Sequence, residues 1–272
     1  MRIAVWDEPA LDFLAKAASE LASHHDITVV REPRRPLRDH LIAGQVDVAL
    51  LPTLSVFLDA ELFDVLPAVA LSSWDFPYLQ LNLRKGIGGD VDSILIDPNL
   101  AQEALMTKVV LKEHYDLSPS FKPFNGDLLK AATEQDVDGT LIKTDTPANV
   151  PTEGVSLDLG RDWFELTNYP MVWGLFVMRS GEANGRAVNI LRDIVSLTEL
   201  KREAWLSELD VPESLHTFYN EGLRYRLDDL ATASLTGFQD YLYFNDAVED
   251  MAPLPFYEVP EGEVDTDEGP LL

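Results

Sequence analysis

Three groups of residues in this chain have the types and spacing for chemistry on a small polar ligand: the adjacent carboxylates Asp7-Glu8, the hydroxyl pair Ser72-Ser73, and Asp97-Pro98-Asn99 with Gln102. Paired carboxylates suit acid and base catalysis. Neighbours on an extended segment point to opposite faces, however, so at most one of the two reaches a ligand. We assign Asp7 as the candidate catalytic group. Ser72 and Ser73 close an apolar run, and they either bend the chain or offer hydroxyls to a carboxylate. Asn99 and Gln102 stand at a helix start, where capping is the plain reading and the positive helix end also suits an anion. Thr53 and Asp145 follow the ends of strand-like runs, and Thr167 precedes another, so all three join the candidate binding set. Trp74 and Trp173 read as packing residues or as stacking platforms.

The absences narrow the chemistry. The chain has no cysteine, which excludes disulfides, thiolate nucleophiles and Cys-based metal sites. His24, His25, His40, His114 and His216 form no helical ligand pair, so no metal is expected. Gly86-x-Gly88-Gly89 lacks the Lys-Ser/Thr ending of a phosphate loop. Against 47 acidic residues stand 21 basic ones, a net charge of −26 that repels nucleic acid and anionic membrane. The acids are spread along the whole chain, which suggests adaptation to a salty cytoplasm, where the screening length falls to about 3 Å at 1 M salt. Melting the protein across a KCl series tests that reading, since a flat response would remove it. No apolar run approaches the roughly 20 residues of a membrane span, so no membrane insertion is expected. The start MRIAVWDEP shows no export-signal pattern, and a cytoplasmic location is expected. The oligomeric state stays open.

These residues need elements to hold them. Arg2–Trp6, Ile27–Arg31 and Val46–Leu51 read as strands alternating with helical segments at Pro9–Ser23 and Pro36–Ala43. The rhythm restarts after Gly88-Gly89 with Asp92–Ile96, Asn99–His114, Ser120–Phe124, Asp127–Glu134 and Gly139–Ile142. Two stretches frame that restart. Leu66–Leu83 has an apolar run, a polar break at Ser72-Ser73 and a second run, and Met171–Met178 is almost wholly apolar, as a strand buried on both faces should be. The expected architecture is therefore α/β with two lobes: residues 1–80 plus 174–272, and residues 81–173. Tyr78–Leu83 and Met171–Val177 are expected to run side by side as hinge strands. Helices at Ala187–Leu206, Pro212–Tyr219 and Leu227–Phe244 return to cover the first lobe, and 258–272 reads as a mobile acidic tail. The competing fold is one continuous doubly wound sheet with no cleft between lobes. In open α/β sheets, ligands collect at the carboxyl ends of parallel strands, where the candidate residues fall.

Four segments, in order, resemble a known family. They are Leu41–Thr53 (LIAGQVDVALLPT), Leu66–Ser73 (LPAVALSS), Asp158-Leu159-Gly160 with Trp163, Leu166-Thr167, Pro170 and Val172-Trp173, and Leu223-Arg224-Tyr225 before the last helix. Together they are similar to the menaquinone-biosynthesis proteins of the futalosine pathway, and among them to the chorismate dehydratases. The resemblance implies a type II periplasmic-binding-protein-like fold and a cofactor-free loss of water from chorismate, giving 3-[(1-carboxyvinyl)oxy]benzoate. Ser73 carries over best. Two places depart from the family pattern: its Tyr/Phe-Leu-Asn element after the first strand is Trp6-Asp7-Glu8 here, and its hydroxyl-rich start to the first helix of the second lobe is Asp97-Pro98-Asn99-Leu100-Ala101-Gln102. The competing functional class is a non-catalytic receptor for a small carboxylate on the same scaffold.

Overall fold

The computed structural model describes residues 1–134, 137–147, 154–248 and 253–260. Its strands form two sheets, one per lobe. The first sheet contains β1 (Arg2–Trp6), β2 (Thr28–Glu32), β3 (Val48–Pro52), β4 (Phe63–Ser73), β10 (Met171–Arg179) and β11 (Leu223–Arg226), in the order β11-β4-β10-β3-β1-β2. The second contains β5 (Leu79–Leu83), β6 (Ser93–Ile96), β7 (Ser120–Pro123), β8 (Gly139–Lys143) and β9 (Val155–Asp158), in the order β7-β6-β8-β5-β9. In each, three parallel strands carry the βαβ rhythm, and the strands that cross between lobes join antiparallel. The long apolar runs are explained by position. β10 and β3 lie inside the first sheet and are buried on both faces, whereas β2 at its edge is half exposed.

The helices are α1 (Asp12–His25), α2 (Arg34–Ile42), α3 (Thr53–Leu58), α4 (Ala101–Tyr115), α5 (Leu128–Glu134), α6 (Leu159–Thr167), α7 (Gly185–Glu208) and α8 (Asp229–Phe244). Side chains of Asp158, Asn184 and Asp228 cap the starts of α6, α7 and α8. α1, α4 and α6 end on Asp26, Asp116 and Asn168 in the left-handed region, which these short polar residues tolerate in place of glycine. α7 packs against α1 and β4, and α8 packs against β10.

The chain passes from the first sheet to the second through Trp74–Tyr78 and returns through Asn168–Pro170. The strands that lie side by side at this junction are β4 and β10. This corrects the expected pairing of Tyr78–Leu83 with Met171–Val177. β5 instead spends both edges on β8 and β9 within the second sheet. A second correction concerns Ser72-Ser73, which do not break the strand: β4 runs through both, paired with β10 on one side and β11 on the other. Pro212–Tyr219 is a short 3-10 turn at Glu213–Leu215 rather than a continuous helix, followed by a π turn at Phe218–Gly222. Of the predicted acidic tail, residues 261–272 lie outside the described residues. Just before them the chain runs beside β4, where Tyr257 N–H donates to the Val65 carbonyl at 2.9 Å.

Candidate active site between the lobes

Trp6, the last residue of β1, fixes the floor of the site. It is fully buried, and its indole N–H donates to the Leu50 carbonyl at 2.8 Å. Its ring rests on the backbone of β10 at Gly174, where any Cβ would meet the indole at 2.7 Å, so only glycine fits. Over the Trp6 ring lies the guanidinium of Arg34, with its central carbon 3.8 Å from a ring centroid. Arg34 opens α2, and its side chain is 10% exposed.

Both edges of that guanidinium are engaged. Nε and Nη2 grip the Glu8 carboxylate as a fork, the latter at 2.7 Å, and Nη1 donates to Glu103. Lys143, at the end of β8, donates to the same Glu8 carboxylate. Each lobe thus contributes one acid and one cation: Glu8 and Arg34 from the first, Glu103 and Lys143 from the second. Burial works to raise the Glu8 carboxyl, but the charges of Arg34 and Lys143 hold it below its ordinary range. Burial, reinforced by Arg34, pulls the Lys143 ammonium below its ordinary value. For Arg34, burial is outweighed by Glu103 and Glu8, which keep it firmly charged. The four charges balance.

A second, neutral junction lies where β10 begins. Gln102, 2% exposed on the first turn of α4, reaches across the lobes with both ends of its amide. It accepts from Leu54 N–H and donates to the Trp173 carbonyl, both at 2.8 Å. Thr53, buried at the start of α3, donates to the Val172 carbonyl at 2.7 Å. The Ser73 hydroxyl accepts from the Trp173 indole N–H at 2.7 Å. Three candidate residues from three separate segments, Thr53, Ser73 and Gln102, therefore meet at Val172-Trp173.

The other candidates lie around this centre. Asp7 is exposed on the rim beside Arg31, 3.0 Å away, while its neighbour Glu8 turns inward, as alternation along an extended segment requires. Asp145 stands close enough to raise both Asp12 and Tyr78, whose larger cause is burial, with Tyr78 pushed up to about 12. Asn99 is exposed and holds Asp97 at the start of the α4 segment, at 2.8 Å. Thr167 bonds the Trp163 carbonyl within its own helix. Ser72 is fully buried, and its hydroxyl has no hydrogen-bond partner among the described residues. Sequence reasoning missed Arg34 and Glu103 as site residues. Their only local signal was a charge at the first turn of a helix.

Among the described residues, His114, Asp162 and Glu165 bring possible metal-ligand atoms within 4.8 Å of one another. His114 stands at the far end of α4, roughly 16 Å along that helix from Glu103, with Asp162 and Glu165 on α6, and Asp162 already accepts the Tyr115 hydroxyl.

The family profile for menaquinone biosynthesis matches residues 1–243. The chain belongs to that family. No curated protein matches the sequence. Among solved structures, protein AF1704 from Archaeoglobus fulgidus aligns with a TM-score of 0.59 and 17% identity, covering 91% of this chain and 98% of its own. The periplasmic aliphatic sulphonate binding protein SsuA from Escherichia coli aligns with a TM-score of 0.64 and 15% identity, over 93% and 89% of the two chains. The alkanesulfonate-binding protein SsuA from Xanthomonas axonopodis pv. citri, bound to MOPS, gives 0.64 and 15% over 94% and 97%. At these identities the likeness carries the fold, which is that of the periplasmic binding proteins, with two α/β lobes. The menaquinone-biosynthesis chain thus has a binding-protein scaffold. No helix among its described residues is long and apolar enough to cross a membrane.

Proposed function

We propose that this protein dehydrates chorismate to 3-[(1-carboxyvinyl)oxy]benzoate within menaquinone biosynthesis, in the cytoplasm, at a cleft between its two lobes. The observation that carries the reading is the balanced cluster of Glu8, Arg34, Glu103 and Lys143 between the lobes of a menaquinone-biosynthesis chain. Chorismate carries two carboxylates, for which Arg34 and Lys143 are matched cations. The elimination removes a proton from the ether-bearing ring carbon and breaks the neighbouring carbon–hydroxyl bond, and the electron pair aromatises the ring. Glu8 is the carboxylate placed between the lobes to accept the ring proton once the substrate's carboxylate has taken its place on Arg34. Lys143, with its depressed pKa, is the better acid of the two cations and delivers a proton to the departing hydroxide, so water leaves. Asp7 and Asp145 on the rim, with Asn99, orient the ligand as it enters, and the Thr53, Ser72, Ser73, Gln102 and Thr167 segments supply the walls. The protein needs only to position its substrate and supply local charge, consistent with a reaction driven by aromatisation.

Incubating the purified protein with chorismate in molar KCl and following the ultraviolet spectrum of the aromatic enol ether tests this directly. A second reading is favoured by one observation: both cations of the cleft already hold carboxylates of the chain itself, as suits a receptor that exchanges them for those of a ligand. Binding of chorismate without turnover selects that receptor reading.

A further inference from the structure

We propose that Glu8 is an internal competitor of the ligand: an incoming carboxylate enters by displacing Glu8 from the Arg34 fork, so the site selects compounds whose carboxylate takes that fork. This rests on the reading of the cleft as a carboxylate site, and it names the residue that sets the site's affinity.

The two acids on Arg34 are not equivalent. Glu103 is 2% exposed and stands in the first turn of α4, beside Gln102, whose amide ties that turn to Leu54 and Trp173. It is the deeper of the two acids, its side chain 3% exposed, on a turn tied to both lobes. Glu8 stands between β1 and the short turn Pro9–Leu11, with an extended backbone and no side-chain hydrogen bond capping that turn. Its side chain is the more exposed of the two, 9% against 3%, so an incoming ligand reaches Glu8 first. Arg34 cannot follow a displaced Glu8. The guanidinium plane is set by the Trp6 ring beneath, and that ring by Leu50 and Gly174. The planar fork vacated by Glu8 therefore stays aimed at the same point, ready for another carboxylate. Lys143 reaches the same point, since it bonds the same Glu8 carboxylate oxygen as Arg34 Nε. A ligand in this position meets both cations, and one that lacks an anionic group meets a carboxylate it cannot replace.

The test is equilibrium binding by calorimetry on the full chain, with isophthalate and chorismate as the probes, comparing wild type with Glu8→Gln, Glu103→Gln and Arg34→Lys. Glu8→Gln removes the competitor, and isophthalate should bind at least about tenfold more tightly. Glu103→Gln makes the same change in net charge and should not tighten binding, while Arg34→Lys should weaken it at least about tenfold through loss of the fork. Unchanged or weaker binding in Glu8→Gln overturns the proposal. So does equal tightening in the two glutamine variants, which would make the effect one of net charge, and so does the absence of isophthalate binding in every variant. If Glu8→Gln does not fold, Glu8→Asp keeps the charge but shortens the reach to Arg34, and it must then tighten binding. Turnover of chorismate by the wild type is scored separately. Tighter isophthalate binding in Glu8→Gln without chorismate turnover in the wild type leaves the competitor standing and removes the dehydratase.

Discussion

The two junctions between the lobes are built from opposite materials. At Val172-Trp173 the contacts are neutral: an amide, two hydroxyls and an indole, aimed largely at backbone groups. At Arg34 they are charged: four ionised side chains that neutralise one another. Neutral hydrogen bonds contribute modestly to stability but are expensive to leave half made. A buried charge cluster gives little net stability over an apolar packing of the same volume, and breaking it by removing one member is costly. The comparison teaches where function sits. The neutral junction satisfies the fold, while the charged cluster is a poor way to stabilise a protein and a good way to hold a place for an anion.

The largest effect expected from breaking this contrast comes from Arg34→Met. It leaves Glu8 and Glu103 buried, with only Lys143 to compensate, and should destabilise the protein by about 3–5 kcal/mol in urea unfolding, with loss of ligand binding. A loss below about 1 kcal/mol would mean that the cluster is solvated rather than buried. Next is Gln102→Ala at the neutral junction. It strands Leu54 N–H and the Trp173 carbonyl, at roughly 1–3 kcal/mol for each group left unpartnered. Because Gln102 holds the first turn of α4, chorismate or isophthalate binding should weaken as well. A stable variant with unaltered binding would show that the lobes are not fastened there.

Asp158 is a third case, a buried carboxylate held by backbone rather than by a cation in contact. It accepts from Phe76 N–H at 2.8 Å and from Arg161 N–H at 3.1 Å, tying the first crossing to the start of α6. Burial pushes its pKa up to about 6. A carboxyl whose folded-state pKa is raised binds its proton more readily in the native state. Its contribution is thus fully present below the unfolded value of about 3.9 and is lost as pH rises through about 6. Asp158→Asn keeps an oxygen for both N–H groups and removes the charge, so it should stabilise the protein at pH 7 and flatten stability between pH 4 and 6. A variant less stable than wild type at pH 7 would show that the charge itself is needed at the crossing.

The alternation of strand and helix, the return of the chain to its first sheet and the apolar β3 and β10 were legible because each rests on a local pattern of burial. Thr53, Ser73 and Gln102 read in the sequence as ligand contacts, whereas in the structure their hydroxyls and amide bond the junction's own backbone and Trp173. The charge cluster was not legible as a unit. Arg34 sits in the run Pro33-Arg34-Arg35-Pro36, which reads as a solvated face, and its partners Glu8 and Glu103 are 26 and 69 residues away. Only tertiary structure brings them together. β4 was read as broken because two serines look like a turn. What keeps it extended is pairing on both sides, together with an indole N–H that satisfies one of the two hydroxyls.

That pair gives the smallest expected effects. Sequence reasoning offers both hydroxyls to a carboxylate, with Ser73 the one the family resemblance carries over best. In the structure, Ser73→Ala strands the Trp173 indole N–H in a fully buried place, and the loss should be about 1–2 kcal/mol in stability. Ser72→Ala removes a buried hydroxyl that has no partner among the described residues, and it should be neutral or slightly stabilising. Trp173 also packs on Phe76, with ring centroids 4.5 Å apart, so its loosening in Ser73→Ala should be visible as a change in tryptophan fluorescence that Ser72→Ala does not produce. If ligand affinity falls in Ser73→Ala while stability and fluorescence stay at the wild-type level, the hydroxyl belongs to the ligand after all. The boundary between the neutral junction and the charged site would then have to be redrawn to include it.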